Sequence, residues 1–134
     1  MSKIVSSMVA VILTITACKQ AAVINKKDPL ASGRGFIESS LRGNYDEAQN
    51  YLLPDSVNLQ YFEGLKEFNN KQSDSVKDGY KNANILIDST QNLSDSVTII
   101  TYSNTYKNIP SKLKMVKKNE EWLVDFKYTF NSGM

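Results

Sequence analysis

The sequence contains no histidine and a single cysteine, Cys18. A Ser-His-Asp triad, a Cys-His pair and a His-ligated zinc site are therefore excluded. One cysteine also rules out an internal disulfide. Charge of one sign is scarce in excess: 16 Lys and Arg stand against 14 Asp and Glu, a formal net charge of +2. Nucleic-acid binders usually carry a stronger basic excess, so no nucleic acid is expected as a partner. No apolar run approaches the roughly 20 residues of a membrane-spanning helix. No motif calls for a cofactor or a metal. What is present, 134 residues at 41% hydrophobic and 22% charged, suits one folded domain rather than a disordered chain.

The amino terminus carries the most specific signal. Met1-Ser2-Lys3 precedes an uncharged stretch from Ile4 to Thr16. A basic start, a short apolar run and a small-residue exit describe an export signal. The alternative is a buried helix or strand, which gives no reason for the only charge to precede the run. The exit Ile15-Thr16-Ala17-Cys18 resembles the lipobox of bacterial lipoproteins. That resemblance implies cleavage before Cys18, a diacylglyceryl group on its sulfur and an acylated amino group. Each buried acyl methylene contributes about 0.8 kcal/mol, so two or three chains hold a protein at a bilayer. Residues 1–17 are then the signal, and 18–27 the lipidated cysteine and a flexible tether. The following Lys19-Gln20-Ala21-Ala22 lacks the acidic run that resembles surface-export signals in Bacteroidota. It also lacks an Asp resembling the inner-membrane retention mark of proteobacteria. The expected location is the periplasmic face of the outer membrane.

Residues 28–131 read as one α+β domain. Asp28-Pro29 starts a first helix with Leu30, Phe36, Ile37 and Leu41 inward, and Gly43 stops it. Gly33 and Gly35 lie within this helix. Their spacing is not that of a phosphate loop, and close approach of the helix to a sheet explains them better. Asn44 caps a short second helix. Asp55-Ser56 opens a third, with Val57, Tyr61, Leu65 and Phe68 on its face, and Asp74 to Gly79 adds a helical turn. Strands follow around Asn84–Asp88, Ser96–Tyr106 and Lys112–Lys117. A last strand runs from Trp122, with Val124, Phe126, Tyr128 and Phe130 on its apolar face and Asp125 opposite, toward solvent. Short connections imply an antiparallel sheet of about four strands covered on one face by the amino-terminal helices.

The start Phe36-x4-Leu41-x-Gly43-Asn44-Tyr45-x2-Ala48 and the final Asn119-Glu120-Glu121-Trp122-Leu123-Val124-Asp125 carry a family resemblance. The chain resembles small Bacteroidota lipoproteins of the nuclear-transport-factor-2-like, or cystatin-like, superfamily. The resemblance implies a curved, cone-like sheet wrapped on a helix with a pocket at its open end. Glu120 stands where the family pattern often has Gly, which leaves the type of hairpin turn open. Members of the superfamily include isomerases, dehydratases, ligand binders and dimerisation modules, and a shared fold does not choose among them.

Without histidine, acid-base chemistry would fall to carboxylates and tyrosines. Asp88 and Tyr102 are the candidate catalytic pair, with Asp88 expected to point inward beside Leu86. The 7 Tyr and 5 Phe suit an apolar pocket better than a catalytic centre. Tyr80, Tyr102, Tyr106 and Tyr128 are the candidate ligand-binding residues. The reading favoured is therefore a periplasmic cone that binds a small apolar ligand or an envelope protein. A cone-type isomerase or hydrolase, or a structural module forming homodimers through the sheet, is the alternative. Lys107, Lys112, Lys114, Lys117 and Lys118 form a basic stretch that suits lipid headgroups or a solvated sheet face. Asp-Ser-Val occurs three times, and Ser56, Ser75 and Ser96 resemble O-glycosylation acceptors of Bacteroidota exported proteins. The Asp residues equally suit local capping and turns. Asn92-Leu93-Ser94 matches an N-glycosylation triplet, which in such a bacterium is a chance match.

Overall fold

The computed structural model describes residues 24–132. Cys18, the segment expected to be an export signal and the first part of the expected tether lie outside the described residues. The elements run α1 (Pro29–Leu41), α2 (Tyr45–Gln49), α3 (Ser56–Asn70), α4 (Asp74–Lys81), β1 (Ile85–Ser94), β2 (Val97–Asn104), β3 (Ser111–Lys118), β4 (Glu121–Asp125) and α5 (Lys127–Asn131). The strands form one antiparallel sheet in the order β1-β2-β3-β4. The fold is α+β, with the main helices ahead of the sheet in sequence.

Local chemistry sets the helix ends. Asp28 caps α1 by accepting the Ala31 N–H at 2.7 Å, and Pro29 occupies the first turn. At the other end Gly43 takes φ +76°. The Asn44 N–H then reaches the Ser39 carbonyl at 2.8 Å and the Gly43 N–H the Ser40 carbonyl at 3.1 Å, which is a Schellman closure. Asp55 caps α3 through the Asn58 N–H at 2.8 Å. Ser73, not Asp74, caps α4.

The core lies between α1 and the sheet, where Phe36, Ile37, Phe62, Ile100, Leu113, Met115 and Val124 are buried. Gly33 makes this packing possible. A Cβ there would sit 2.6 Å from Ile100 Cδ1 and 3.4 Å from Met115 Sδ, so helix and sheet touch closely, as the sequence suggests. Gly35 serves a different approach, because a Cβ on it would run into the Tyr51 ring.

Three expectations are corrected. The last strand stops at Asp125 and the chain turns into α5, so Tyr128 and Phe130 leave the sheet. The Leu53 N–H bonds the Val124 carbonyl, and the Val124 N–H bonds the Tyr51 carbonyl. This pairing occupies the outer edge of β4 only as far as Val124. On α3 Asn58 and Phe62 are fully buried; of the expected face Tyr61 and Leu65 are half-buried against the core, while Val57 is 44% and Phe68 61% exposed. Lys26, expected within a flexible tether, is instead bonded to β4. Its carbonyl accepts the Trp122 N–H at 2.8 Å and its ammonium lies 3.2 Å from Glu121.

The β3–β4 turn has positive φ at both Asn119 (51°) and Glu120 (63°), the two-residue geometry that Asn-Gly prefers. Glu120 has no compensation beyond an exposed pair with Lys117 at 3.5 Å. Glu120→Gly is therefore expected to stabilise the domain by about 1 kcal/mol. A lower urea midpoint in this variant would contradict the strain argument.

Candidate functional site

A cavity of about 730 Å³ opens between α1, α3, α4, α5 and the sheet. Its inner wall is apolar: Phe36, Ile37 and Phe126 are buried, and Leu65, Tyr45 and Tyr102 are half-buried. Phe68, Ile109 and Phe130 are exposed along its rim. The charged lining groups Arg42, Asp74, Lys77, Asp78 and Lys81 are all exposed. Apolar groups inside and charges at the edge are the ordinary arrangement of a small-molecule site, and the volume falls within the usual range of about 300–1,000 Å³.

Aromatic packing shapes the wall. Phe36 lies 5.3 Å from Phe126 in an edge contact and 6.0 Å from Phe62. Phe126 meets Phe130 at 5.0 Å, and Tyr61 stacks on Phe130 at 4.8 Å. The turn into α5 thus closes one side of the cavity with side chains that a longer strand would have placed elsewhere.

Ser40, on the last turn of α1, also lines the cavity. Its hydroxyl is buried and has no hydrogen-bond partner, alone in this among the described residues. Leaving a buried hydroxyl unpaired costs about 1–3 kcal/mol. The oxygen has essentially no accessible surface, so Ser40 meets the cavity through its other atoms. Tyr102 faces the same space. Burial pushes its phenol above the ordinary tyrosine value, with a bond to Ser111 acting in the opposite direction. Tyr102 therefore remains a neutral phenol, suited to hydrogen bonding rather than to taking a proton.

The structure disperses the remaining site residues. Tyr80 lines the cavity from α4, and Tyr106 stands behind it in an edge contact at 5.0 Å without lining the space. Tyr128 sits on α5 with the Lys114 ammonium 5.8 Å from its ring, also outside the lining. Asp88 is exposed at a bulge of β1 beside an exposed Leu86, outside the cavity, which corrects its expected inward orientation. It is not joined to Tyr102 in one site. Ser56, Ser75 and Ser96 are all exposed. In the basic stretch Lys114 pairs with Asp125 at 3.7 Å and Lys117 with Glu120 at 3.5 Å.

A second polar cluster proves architectural. Asp125 is buried, where solvent exposure was expected, because Asn58 and Lys127 cover it. The Asn58 amide donates to Asp55 at 2.8 Å and to Asp125 at 3.1 Å, and its oxygen accepts the Lys127 N–H at 2.8 Å. The Lys127 ammonium reaches Asp125 at 2.6 Å and Asp55 at 3.5 Å. The Asn58 backbone N–H, with help from the Asn58 amide and Lys127, holds Asp55 below the usual carboxylate range. The bond to Asp125 chiefly holds Lys127 above its ordinary value. Every member has its partners, so the cluster joins α3, β4 and α5 and offers no free group to a ligand.

Sequence reasoning missed Ser40, Arg42, Lys77 and Lys81. Nothing in the sequence separates Ser40 from Ser32, whose hydroxyl is satisfied by the Trp122 carbonyl at 2.6 Å. Among the described residues no cluster of His, Cys, Asp and Glu is placed to hold a metal ion, and no helix is long and apolar enough to cross a membrane. Compared with known proteins, the chain matches no family model, no curated protein and no solved structure.

Proposed function

We propose that the protein is a lipid-anchored bacterial envelope protein whose domain binds a small, largely apolar molecule in the cavity. The observation that carries the binding reading is the aromatic-walled space of about 730 Å³. The arrangement favours binding over acid-base chemistry, since Asp88 is remote and Tyr102 is held neutral. A purely structural role is less well supported, because a filled cone would leave no such space.

The neutral fluorophore N-phenyl-1-naphthylamine tests this. It is expected to bind the full chain saturably, one per molecule, with increased emission. Leu65→Trp, which places an indole in the cavity, is expected to abolish the signal while leaving the far-ultraviolet circular dichroism unchanged. Absence of saturable binding to the unaltered chain would overturn the proposal.

The anchor part rests on Ile15-Thr16-Ala17-Cys18 behind its apolar run. A Cys18→Ala variant is expected to leave the membrane fraction or to persist at precursor mass. If it fractionates with membranes at the mature mass of the unaltered protein, Cys18 is not the anchor.

A further inference from the structure

Resting on the anchor reading above, we infer that the domain presents its β1–β2 and β3–β4 turns to the bilayer that holds Cys18, so that the cavity mouth opens away from that bilayer. The described chain joins the sheet at one end. The Trp122 N–H bonds the Lys26 carbonyl at 2.8 Å, and the Lys26 ammonium lies 3.2 Å from Glu121. Glu121 and Trp122 open β4, immediately after the β3–β4 turn. The β1–β2 turn stands at the same end, because Val97 pairs with Val116 and the Lys117 N–H bonds the Ser96 carbonyl at 2.8 Å. None of residues 24–29, 93–97 or 117–122 lines the cavity.

The mouth lies at the other end of the same elements. Asn104 ends β2, Ser111 opens β3 and Ile109 stands in the loop between them, and all three line the cavity. Helix α1 runs in the same sense. Ser32, near its start, bonds the Trp122 carbonyl at 2.6 Å, whereas Arg42 and Gly43, just beyond its end, line the cavity. The 8 residues of β3, at about 3.3 Å each, separate the two ends by roughly 20–25 Å. Cys18 precedes Lys26 by eight residues, which span at most about 26–29 Å when fully extended. Turning the mouth onto the bilayer would lift Lys26 by the length of the sheet and draw that link almost straight, at a cost in conformational entropy. With the turns toward the bilayer no such extension is needed. The turn surface does not call for anionic lipid, since Lys26 and Lys117 already pair with Glu121 and Glu120, and Leu93 beside them is an exposed apolar side chain. The basic stretch is divided between the ends, with Lys107 and Lys112 toward the mouth and Lys117 and Lys118 toward the turns, so it does not form one membrane patch. A ligand of the cavity would therefore enter from the aqueous side, not by lateral passage out of the anchoring leaflet.

The single cysteine of the sequence makes the test specific, because a lipidated Cys18 leaves an introduced thiol as the one site for labelling. Leu93→Cys and Lys118→Cys mark the turns; Ile109→Cys and Lys71→Cys, the latter between Asn70 and Gln72 of the lining, mark the mouth. All four positions are exposed, so the changes leave the core intact. Each thiol carries a bimane on the full lipidated chain, reconstituted in vesicles of phosphatidylcholine and phosphatidylethanolamine with nitroxide-bearing headgroups. The turn labels are expected to be quenched at least about threefold more than the mouth labels, because contact quenching fades within the length of the sheet. Equal quenching of all four labels, or stronger quenching at the mouth, overturns the orientation and leaves the anchor reading standing. A chain that does not float with the vesicles overturns the anchor reading and the orientation together.

Discussion

Replacing Asn58 with Ala is expected to lower the stability of the domain by about 3 kcal/mol, seen as a reduced urea midpoint and a melting temperature lower by about 10 °C or more. Asn58 is fully buried and makes three side-chain hydrogen bonds that hold the start of α3 to the end of β4 and to α5. Its removal strands the Lys127 N–H and takes one partner from Asp125, itself only 7% exposed. Losing partners of a buried charged group is costly because the group stays desolvated. The effect should depend on pH. Asp55 is held low, so its contribution is complete above the ordinary carboxylate pKa and is lost as pH falls through the lowered value. Lys127 is held high, so its contribution is complete below the ordinary ammonium pKa and is lost as pH rises through the raised value. Of the groups that hold Asp55 low, the variant keeps the Asn58 backbone N–H and Lys127 and loses only the side-chain amide, so the difference between parent and variant should narrow as pH falls through the lowered Asp55 value and should not depend on the Lys127 titration. A difference that stays flat to pH 2 would remove Asp55 from the network.

Gly33→Val is expected to cost about 2–3 kcal/mol by overpacking. The added side chain meets Ile100, Leu113 and Met115, all with no exposure and therefore no room to yield. Helix propensity acts the other way, since Gly is the poorer helix former by several tenths of a kcal/mol, which only partly offsets the clash. Because this contact supports the wall formed by α1, N-phenyl-1-naphthylamine binding should weaken along with stability. Gly43 offers the contrast: nothing lies near it, and its positive φ alone demands glycine. A Gly33→Val protein as stable as its parent would mean that helix and sheet do not touch as described.

Much of the fold was legible because it rests on local rules. Asp28-Pro29, Gly43 and Asp55 mark helix ends through hydrogen bonds within a few residues of themselves, whereas Asn44 stands at the start of α2 without a side-chain capping bond. The alternation and β-branching of 97–104 and 111–118 mark strands in the same way. The errors fall where distant groups compete with local preference. Residues 126–130 alternate as a strand should, yet Phe126, Tyr61 and the Asn58–Lys127 bond draw them into a helix. The face of α3 was misjudged for a related reason. Phe62 finds Phe36 and Asn58 finds Asp125, while Val57 and Phe68 find nothing to bury against.

The candidate site was legible only in its materials. Aromatic abundance pointed to an apolar pocket, and Tyr80 and Tyr102 do line one. Tyr106 and Tyr128 do not, since lining depends on where α4 and α5 come to rest. The sequence by itself determined the absence of histidine chemistry and disulfides, the lipobox-like Cys18 segment, the α+β class and the helix caps. These follow from composition and from interactions between near neighbours. Only the tertiary structure decided which serine is left without a partner, which aspartate is buried and which lysines rim the cavity. Those properties belong to groups brought together from Ser40, Asn58, Lys77, Tyr102 and Asp125, far apart along the chain. Desolvation and pairing, which give such groups their character, exist only once the chain has folded around them.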